Sequence, residues 1–175
     1  MNETLDDAVI VTAIREPGII SQRPLLAEAV DVAALLCRPF EGLRLRPYIC
    51  PAGYATIGYG TVWKPDGTKV TMQHPAISKE TAEEWLLYTL QTNYVAGVLQ
   101  ASPHLITYPR VLGALGDFAY NLGVPRYRAS TLKRKVDQCD WTAAKTELEK
   151  WVIGGGRRLP GLVLRRQAEC KFLPS

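Results

Sequence analysis

Most of the residues with evident chemical capability lie in one short stretch, EGLRLRPYICPAGYATIGYG, at residues 41–60. Glu41 is the only carboxylate in that stretch, and the next acidic residue along the chain is Asp66. A carboxylic acid that stays protonated near neutral pH can donate a proton to a leaving oxygen, as cleavage of a glycosidic bond requires. The stretch also contains one thiol, Cys50, which is either a partner for Glu41 or an ordinary buried side chain.

The residues that precede Glu41 predict a helix. Apolar side chains recur from Leu25 to Phe40 at the i, i+3, i+4 spacing of one helical face, and Pro39 is predicted to end or kink the helix near Arg38. Glu41 is then expected at or just past the helix C-terminus, where the apolar face and the negative end of the helix dipole disfavour its charge. A solvated carboxylate at a helix end is the alternative.

The rest of the chain predicts an α+β fold. Residues 43–77 alternate, are rich in aromatic and β-branched residues and contain an Asp-Gly turn, which predicts a small antiparallel sheet of two or three strands. Helical patterns follow from residue 78, with Ser78 and Asp140 as N-caps and Pro109 at a helix start. We expect two lobes with a cleft between them. The sequence predicts an extension at 1–24, with a short strand around 8–14, and one domain at 25–175. This domain divides into a helix and β lobe (25–77) and a helical lobe (78–175). Within the helical lobe we expect a loop at 153–160 and a last basic helix at 161–172.

The composition argues against a metal site, a cofactor and a membrane-inserted protein. The four cysteines form no CxxC pair and only two histidines are present, so we expect free thiols, no metal site and no cofactor. The N-terminus lacks the pattern of a signal peptide, and no apolar run reaches the length of a membrane span, so no stable membrane insertion is expected.

Charge is distributed unevenly along the chain. Residues 126–175 carry 12 basic and five acidic residues, whereas the net charge of the whole chain is +4. Such a basic segment suits a polyanion such as nucleic acid, teichoic acid, lipopolysaccharide or an anionic cell wall, or it forms a solvated helical surface. The arginines considered for this role are Arg157, Arg158, Arg165 and Arg166.

The stretch FEGLRLRPYICPAGYATIGYGT, residues 40–61, resembles the active-site segment of the phage-type lysozymes, glycoside hydrolase family 24. The family pattern places an aspartate nine positions after the glutamate and a threonine six positions after that. The resemblance continues through LGDFAYNLG (115–123), STLKRKV (130–136), WTAAKTELEKWV (141–152) and GGRRLPGLVLRRQAE (155–169), and so covers about residues 31–173. It implies a lysozyme-like two-lobe fold with the active site in the cleft.

Carried onto this sequence, the resemblance implies a catalytic set of Glu41, Cys50 and Thr56, with a cysteine where the family has aspartate. Three interpretations of Cys50 stay open: a thiolate that acts as base or nucleophile, a neutral thiol that orients water with Thr56, and loss of activity with a sugar-binding cleft retained. Arg44 and Arg46 are candidate neighbours of a thiolate. Thr61 stands where many members carry a histidine, and its presence puts local stability in question.

The resemblance also suggests residues that line the cleft. Tyr120 and Asn121 match the helix segment that borders the substrate, where an aromatic face and an amide suit a sugar ring and its N-acetyl group. Thr131 or Ser130, together with the 153–160 loop, is expected on the opposite wall. For Tyr120, a place in the core is an equal alternative.

The resemblance implies an endolysin that hydrolyses the β-1,4 bond between N-acetylmuramic acid and N-acetylglucosamine in peptidoglycan. The expected partners are peptidoglycan glycan strands and no nucleic acid, and the protein is expected to be a monomer. It is expected to stay in the host cytoplasm until a separate holin-type protein releases it to the periplasm and cell wall. The alternatives are a lytic transglycosylase acting on the same bond and a non-catalytic cell-wall-binding module.

Overall fold

A computed structural model describes residues 22–175, and the predictions for residues 1–21, including the short strand around 8–14, lie outside these residues. The described residues begin with helix α1 (Gln22–Glu41), which is followed by strands β1 (Arg44–Ile49) and β2 (Ala55–Gly58). These two strands pair antiparallel, with Tyr48 opposite Thr56 and Ile49 opposite Ala55. The predicted two- or three-stranded sheet is therefore a two-stranded one, continued by isolated bridges at Ile57–Thr61 and Trp63–Lys69.

The remaining elements are almost all helical. They are α2 (Lys79–Thr89), a π-helical segment (Leu90–Val95), α3 (Ala96–Ala101), a 3₁₀ turn (Pro103–Thr107), α4 (Pro109–Leu122), α5 (Val124–Arg128), α6 (Thr131–Asp137), α7 (Trp141–Leu148), β3 (Ile153–Gly154), β4 (Arg157–Arg158) and α8 (Pro160–Cys170). The predicted N-caps are confirmed, since the Ser78 hydroxyl accepts a hydrogen bond from Thr81 N at 3.1 Å and the Asp140 carboxylate accepts one from Ala143 N at 3.1 Å. No helix of residues 22–175 has the length and apolar character of a membrane span.

The end of α1 corrects the prediction for Pro39. The helix passes through Pro39 and ends at Glu41, because a proline in the last turn removes only one of the few hydrogen bonds left there. Gly42 ends the helix instead: it adopts a φ of 70° and donates from its N–H to Arg38 O at 3.3 Å, the arrangement of a glycine C-cap. Glu41 is consequently the last residue of the helix, so the helical backbone fixes the position of its Cα and Cβ atoms.

The prediction of a loop at 153–160 is wrong in part. Ile153–Gly154 and Arg157–Arg158 pair as a short antiparallel hairpin. Gly155 and Gly156 form its turn with φ values of 58° and 76°, and two successive residues with positive φ are typical of the tight turns that favour Gly-Gly.

The core forms where α4 crosses α1. The buried face of α4 runs from Val111 to Ala119, and it packs on Ala29, Val32 and Ala33 of α1 within one cluster of buried side chains. Gly113 makes this crossing close, since a Cβ added there would lie 2.4 Å from Ala29 O and 2.7 Å from Val32 Cβ. This contact holds α1, and therefore Glu41, against the helical lobe.

Gly113→Ala is expected to destabilise the protein by about 1–3 kcal/mol, because the added methyl group meets backbone that cannot move away without separating α1 from α4. Urea unfolding measures the change. The matched control is Gly161→Ala near the start of α8, where a Cβ would meet no atom within 4 Å. This control should be neutral or stabilising by up to about 1 kcal/mol, and an equal loss in both variants would contradict the close crossing.

Candidate active site

Glu41 lies where α1, α8 and the loop after β2 meet. Its side chain is 23% exposed, so the carboxylate is reachable from solvent but mostly enclosed. A Cβ added at Gly60 would lie 3.8 Å from Glu41 Oε2 and 3.4 Å from Tyr120 Oη. The glycine at this position therefore leaves space beside the carboxylate that a side chain would fill.

A buried arginine holds Glu41. Arg165 Nη1 donates to Glu41 Oε1 at 2.6 Å, while Arg165 Nε and Nη2 donate to the two oxygens of Asp117 at 2.9 and 2.6 Å. Cys37 Sγ donates to Asp117 Oδ1 at 3.0 Å, and burial, together with the nearby Asp117 carboxylate, raises the pKa of this thiol far above its usual range. Arg165 therefore links the catalytic candidate to a bidentate ion pair in the core.

The interpretation of Arg165 and Arg166 as surface groups that bind anionic polymers is wrong. The two residues are 3% and 0% exposed, and their guanidinium groups contact buried carboxylates of α4 and α8. Arg157 and Arg158 are exposed, so the polymer-binding hypothesis applies only to them. Asp117 could have indicated in the sequence that a nearby arginine is buried. A carboxylate on an otherwise apolar helix face needs a buried cation as its partner.

Cys50 occupies the turn that joins β1 to β2. Its backbone N–H donates to Tyr54 O at 2.9 Å and its C=O accepts from Gly53 N at 2.8 Å, with Gly53 at a φ of 85°. Because Tyr48 and Thr56 are directly opposite and Cys50 lies two residues beyond Tyr48, all three are expected to share one face of the hairpin. The side chain of Cys50 is partly exposed.

Hydrogen bonds favour the thiolate form of Cys50. Hydrogen bonding by the Thr56 side chain is the main influence that lowers the pKa of Cys50, and bonding at the backbone of Tyr54 adds to it. The candidate neighbours Arg44 and Arg46 are not the main cause: the Arg44 guanidinium instead lies 4.4 Å from the centre of the Tyr48 ring. Thr56 is 2% exposed and its hydroxyl donates to Tyr54 O at 3.0 Å.

Tyr48 lies opposite Thr56 across the β1–β2 hairpin, beside the candidate site. Burial raises the pKa of Tyr48, and negative charge on Cys50 and on Glu41 raises it further, whereas Arg44 lowers it. One phenol is thus within electrostatic reach of both the carboxylate and the thiol. The place of Tyr48 between Glu41 and Cys50 in the sequence could have suggested a role in the site. Its pairing with Thr56 becomes known only from the strand register.

The glycine-rich turn after β2 is held without a histidine at position 61. Thr61 exchanges backbone hydrogen bonds with Ile57 at 2.9 and 3.0 Å. Tyr59 Oη donates to Glu83 Oε1 at 2.6 Å, and Arg38 Nε donates to Glu83 Oε2 at 2.9 Å. Partial burial opposes ionisation of Glu83, but these two donors outweigh it and lower the pKa of Glu83. The turn is therefore tied to both α1 and α2.

The three predicted substrate-binding residues have different surroundings. Tyr120 Oη donates to Tyr59 O at 2.6 Å and its ring lies 4.9 Å from that of Tyr94, which places it beside the Glu41 pocket. Asn121 follows it on α4, and its buried Oδ1 has no hydrogen-bond partner within residues 22–175. Thr131 begins α6, where its hydroxyl accepts from Arg134 Nη2 at 2.9 Å. A sugar-binding role for each of them stays a prediction.

The thiol of Cys50 is expected to react with iodoacetamide at a lower pH than an ordinary cysteine, because its pKa is lowered and only the thiolate is nucleophilic. The experiment uses a Cys139→Ser background, since Cys139 is exposed, whereas burial raises the pKa of Cys37 and Cys170.

Thr56→Val should shift the alkylation profile of Cys50 to higher pH, because it removes the main influence that lowers the pKa of Cys50. The control is Thr146→Val, which makes the same chemical change at an exposed threonine whose hydroxyl donates to Thr142 O. Equal profiles for Thr56→Val and Thr146→Val would contradict the assignment of Thr56 as the partner of the thiol.

Known proteins are similar to this chain over most of its length. The phage lysozyme family profile matches residues 38–169. The chain is 32% identical over 145 residues to an endolysin of Acyrthosiphon pisum secondary endosymbiont phage 1, covering 81% of this chain and 94% of that protein. It is 31% identical over 134 residues to a SAR-endolysin of bacteriophage PS119, covering 74% and 73% of the two chains.

Solved structures show the same fold. An endolysin from Escherichia coli O157:H7 phage FAHEc1 superposes with a TM-score of 0.67 at 28% identity, over 83% of this chain and 90% of that chain. The muramidase domain of SpmX from Asticaccaulis excentricus, at 24% identity, superposes with a TM-score of 0.68 over 82% and 95% of the two chains. The predicted lysozyme-like α+β fold is confirmed, and the chain belongs to the phage lysozyme family.

Proposed function

We propose that this protein is an endolysin that cleaves the β-1,4 bond between N-acetylmuramic acid and N-acetylglucosamine in peptidoglycan, with Glu41 as the general acid. The observation that carries the proposal is the enclosed Glu41 carboxylate, held by Arg165 at 2.6 Å beside the open space at Gly60. The endolysins among its relatives support the same activity. The protein is a glycosidase of the lysozyme type.

In the proposed reaction, Glu41 donates its proton to the glycosidic oxygen as the bond from that oxygen to the anomeric carbon breaks. Cys50 then supplies what a second carboxylate supplies in other glycosidases. As a base, the thiolate takes a proton from water while the water oxygen attacks the anomeric carbon. As a nucleophile, its sulfur attacks that carbon, and water later displaces it. The lowered pKa of Cys50, for which the Thr56 side chain is the main cause, supports both routes over a neutral thiol.

The stereochemistry of the first product separates these two routes. Direct attack by water inverts the anomeric configuration, whereas a covalent thioglycosyl intermediate retains it. Rapid NMR of a short glycan digest, recorded before mutarotation, distinguishes the two anomers.

Product analysis tests the proposed function itself. Digestion of purified peptidoglycan should release fragments that end in reducing N-acetylmuramic acid, as mass spectrometry after borohydride reduction detects. Fragments with 1,6-anhydro ends would identify a lytic transglycosylase, which needs only the acid. Binding without release of fragments would identify a cell-wall-binding module and would contradict hydrolysis.

We also propose that Tyr120, Asn121 and Thr131 bind the glycan strand. The protein acts as a monomer and has no nucleic-acid partner. It reaches the cell wall when a separate membrane-permeabilising protein releases it, which predicts that lysis requires co-expression of such a protein.

A further inference from the structure

Two exposed arginines lie on β1, the strand that ends beside Cys50, and the proposed mechanism uses neither of them. These residues are Arg44 and Arg46. Within residues 22–175, neither guanidinium group lies within ion-pair distance of a carboxylate. The sequence has no acidic residue between Glu41 and Asp66. The β1–β2 hairpin therefore carries positive charge that its own residues do not balance.

Arg44 differs from Arg46 because an aromatic ring holds it in place. The guanidinium carbon of Arg44 lies 4.4 Å from the centre of the Tyr48 ring, a distance at which the ring face attracts a cation. Arg46 makes no such contact within the part of the chain that the structure describes. A side chain that is already held loses less conformational entropy when it binds a ligand.

The strand register places the Arg44 guanidinium group beside the candidate active site. Tyr48 lies directly opposite Thr56, so a group that stacks on the Tyr48 ring lies over the face of the hairpin that carries Thr56. Cys50 follows Tyr48 by two residues, which is about 7 Å along a strand. An anion bound to Arg44 would consequently lie next to the sugar on which Glu41 and Cys50 act.

The proposed substrate carries anions at a matching distance. The lactyl group of N-acetylmuramic acid bears a short peptide, and this peptide has free carboxylates. If N-acetylmuramic acid occupies the cleavage site, two residues of the peptide span the roughly 7 Å between Cys50 and the ring of Tyr48. A guanidinium group binds a carboxylate through two charge-assisted hydrogen bonds, which the neutral hydroxyl and acetamido groups of the glycan do not match.

We propose that Arg44 binds a carboxylate of the peptide that substitutes N-acetylmuramic acid, and that it thereby gives the enzyme a preference for peptide-bearing glycan strands. This inference rests on the proposed function, because it names a further part of the substrate of the same site. The ion pair is open to solvent, so its contribution to binding is modest. Arg44 acts on substrate binding and not on the chemical step.

Arg44→Met tests the proposal with two substrates: soluble glycan strands that carry their peptides, and the same strands after an amidase has removed the peptides. The variant should raise KM for the peptide-bearing strands about three- to tenfold, the range from an exposed to a charge-assisted bidentate contact. It should raise KM for the peptide-free strands less than about 1.5-fold. The value of kcat should stay within about twofold, as expected for a contact that is equal in ground state and transition state.

The matched control is Arg46→Met, which removes the same charge from the same strand without removing the contact to Tyr48. Its KM values should stay within about twofold of wild type. Equal rises in KM for Arg44→Met and Arg46→Met would show a general attraction by positive charge and would overturn the proposal. An equal rise on both substrates would show a contact to the sugar, and a lower kcat at unchanged KM would show an action on the reacting groups. Either result also overturns it.

A binding measurement separates this proposal from the proposed function. The probes are a disaccharide–peptide fragment of peptidoglycan and the same fragment with its carboxylates converted to amides, and NMR titration gives Kd for Glu41→Gln with and without Arg44→Met. The acidic fragment should bind Glu41→Gln about three- to tenfold more tightly than it binds the double variant, whereas the amidated fragment should not distinguish the two proteins. Equal binding of both fragments to Glu41→Gln, or binding of neither, would overturn the proposal. If the wild type releases no fragments from peptidoglycan, the proposed function fails, while this titration still decides whether Arg44 binds the peptide carboxylate.

Discussion

Glu41→Gln is expected to lower the rate of peptidoglycan cleavage by about 10²–10⁴-fold, the usual contribution of a general acid. An amide cannot donate a proton to the leaving oxygen. Its oxygen can still accept the hydrogen bond that Arg165 Nη1 makes to Glu41 at 2.6 Å, so the variant should fold. Loss of turbidity of permeabilised Gram-negative cells measures the rate, and thermal unfolding verifies the fold.

Glu149→Gln is the control for Glu41→Gln, because it makes the same chemical change on an exposed residue. It should retain wild-type activity. If Glu41→Gln lyses cells within a few-fold of the wild-type rate, the acid that protonates the leaving group lies elsewhere and the proposed mechanism is wrong.

Arg165→Met is expected to lower the free energy of unfolding by about 3–5 kcal/mol, the cost of leaving a buried charge without its partner. The Asp117 side chain is 0% exposed and receives two of its three hydrogen bonds from Arg165. Urea unfolding with a linear extrapolation measures the change. Glu41 also loses its only side-chain hydrogen bond within residues 22–175, so activity should fall even below the temperature of unfolding.

Arg157→Met is the matched control, since Arg157 is exposed on the β3–β4 hairpin. It should change stability by about 0.5 kcal/mol or less. Adding Asp117→Leu to Arg165→Met should recover part of the loss, because the uncompensated carboxylate is removed. A loss below about 1 kcal/mol for Arg165→Met would show that the buried ion pair is not what holds this part of the core.

Local sequence signals predicted the framework of this site. The apolar spacing before Glu41, the N-caps at Ser78 and Asp140 and the turn glycines act through neighbours a few residues away, which a sequence displays directly. The same logic placed Glu41 at a helix end. It failed at Pro39, because whether a proline ends a helix depends on how many hydrogen bonds follow it, and Gly42 was the residue that mattered.

Long-range partners were beyond the sequence pattern. Arg165 lies 124 residues from Glu41 along the chain, and an arginine in a basic helix is ordinarily exposed. Only the packing of α8 against α1 and α4 turns Arg165 inward. Tyr48 was missed for a related reason: it lies opposite Thr56 across the β1–β2 hairpin, and this pairing depends on strand register.

The combination of Glu41 with a thiol in place of a second carboxylate is the central claim, and the turnover number of Cys50→Ala tests it most directly. The account predicts that kcat falls by about 10²-fold or more, with stability unchanged, while Cys139→Ala at an exposed position retains wild-type activity. Near-wild-type kcat in Cys50→Ala would contradict the claim and leave Glu41 as the sole catalytic group.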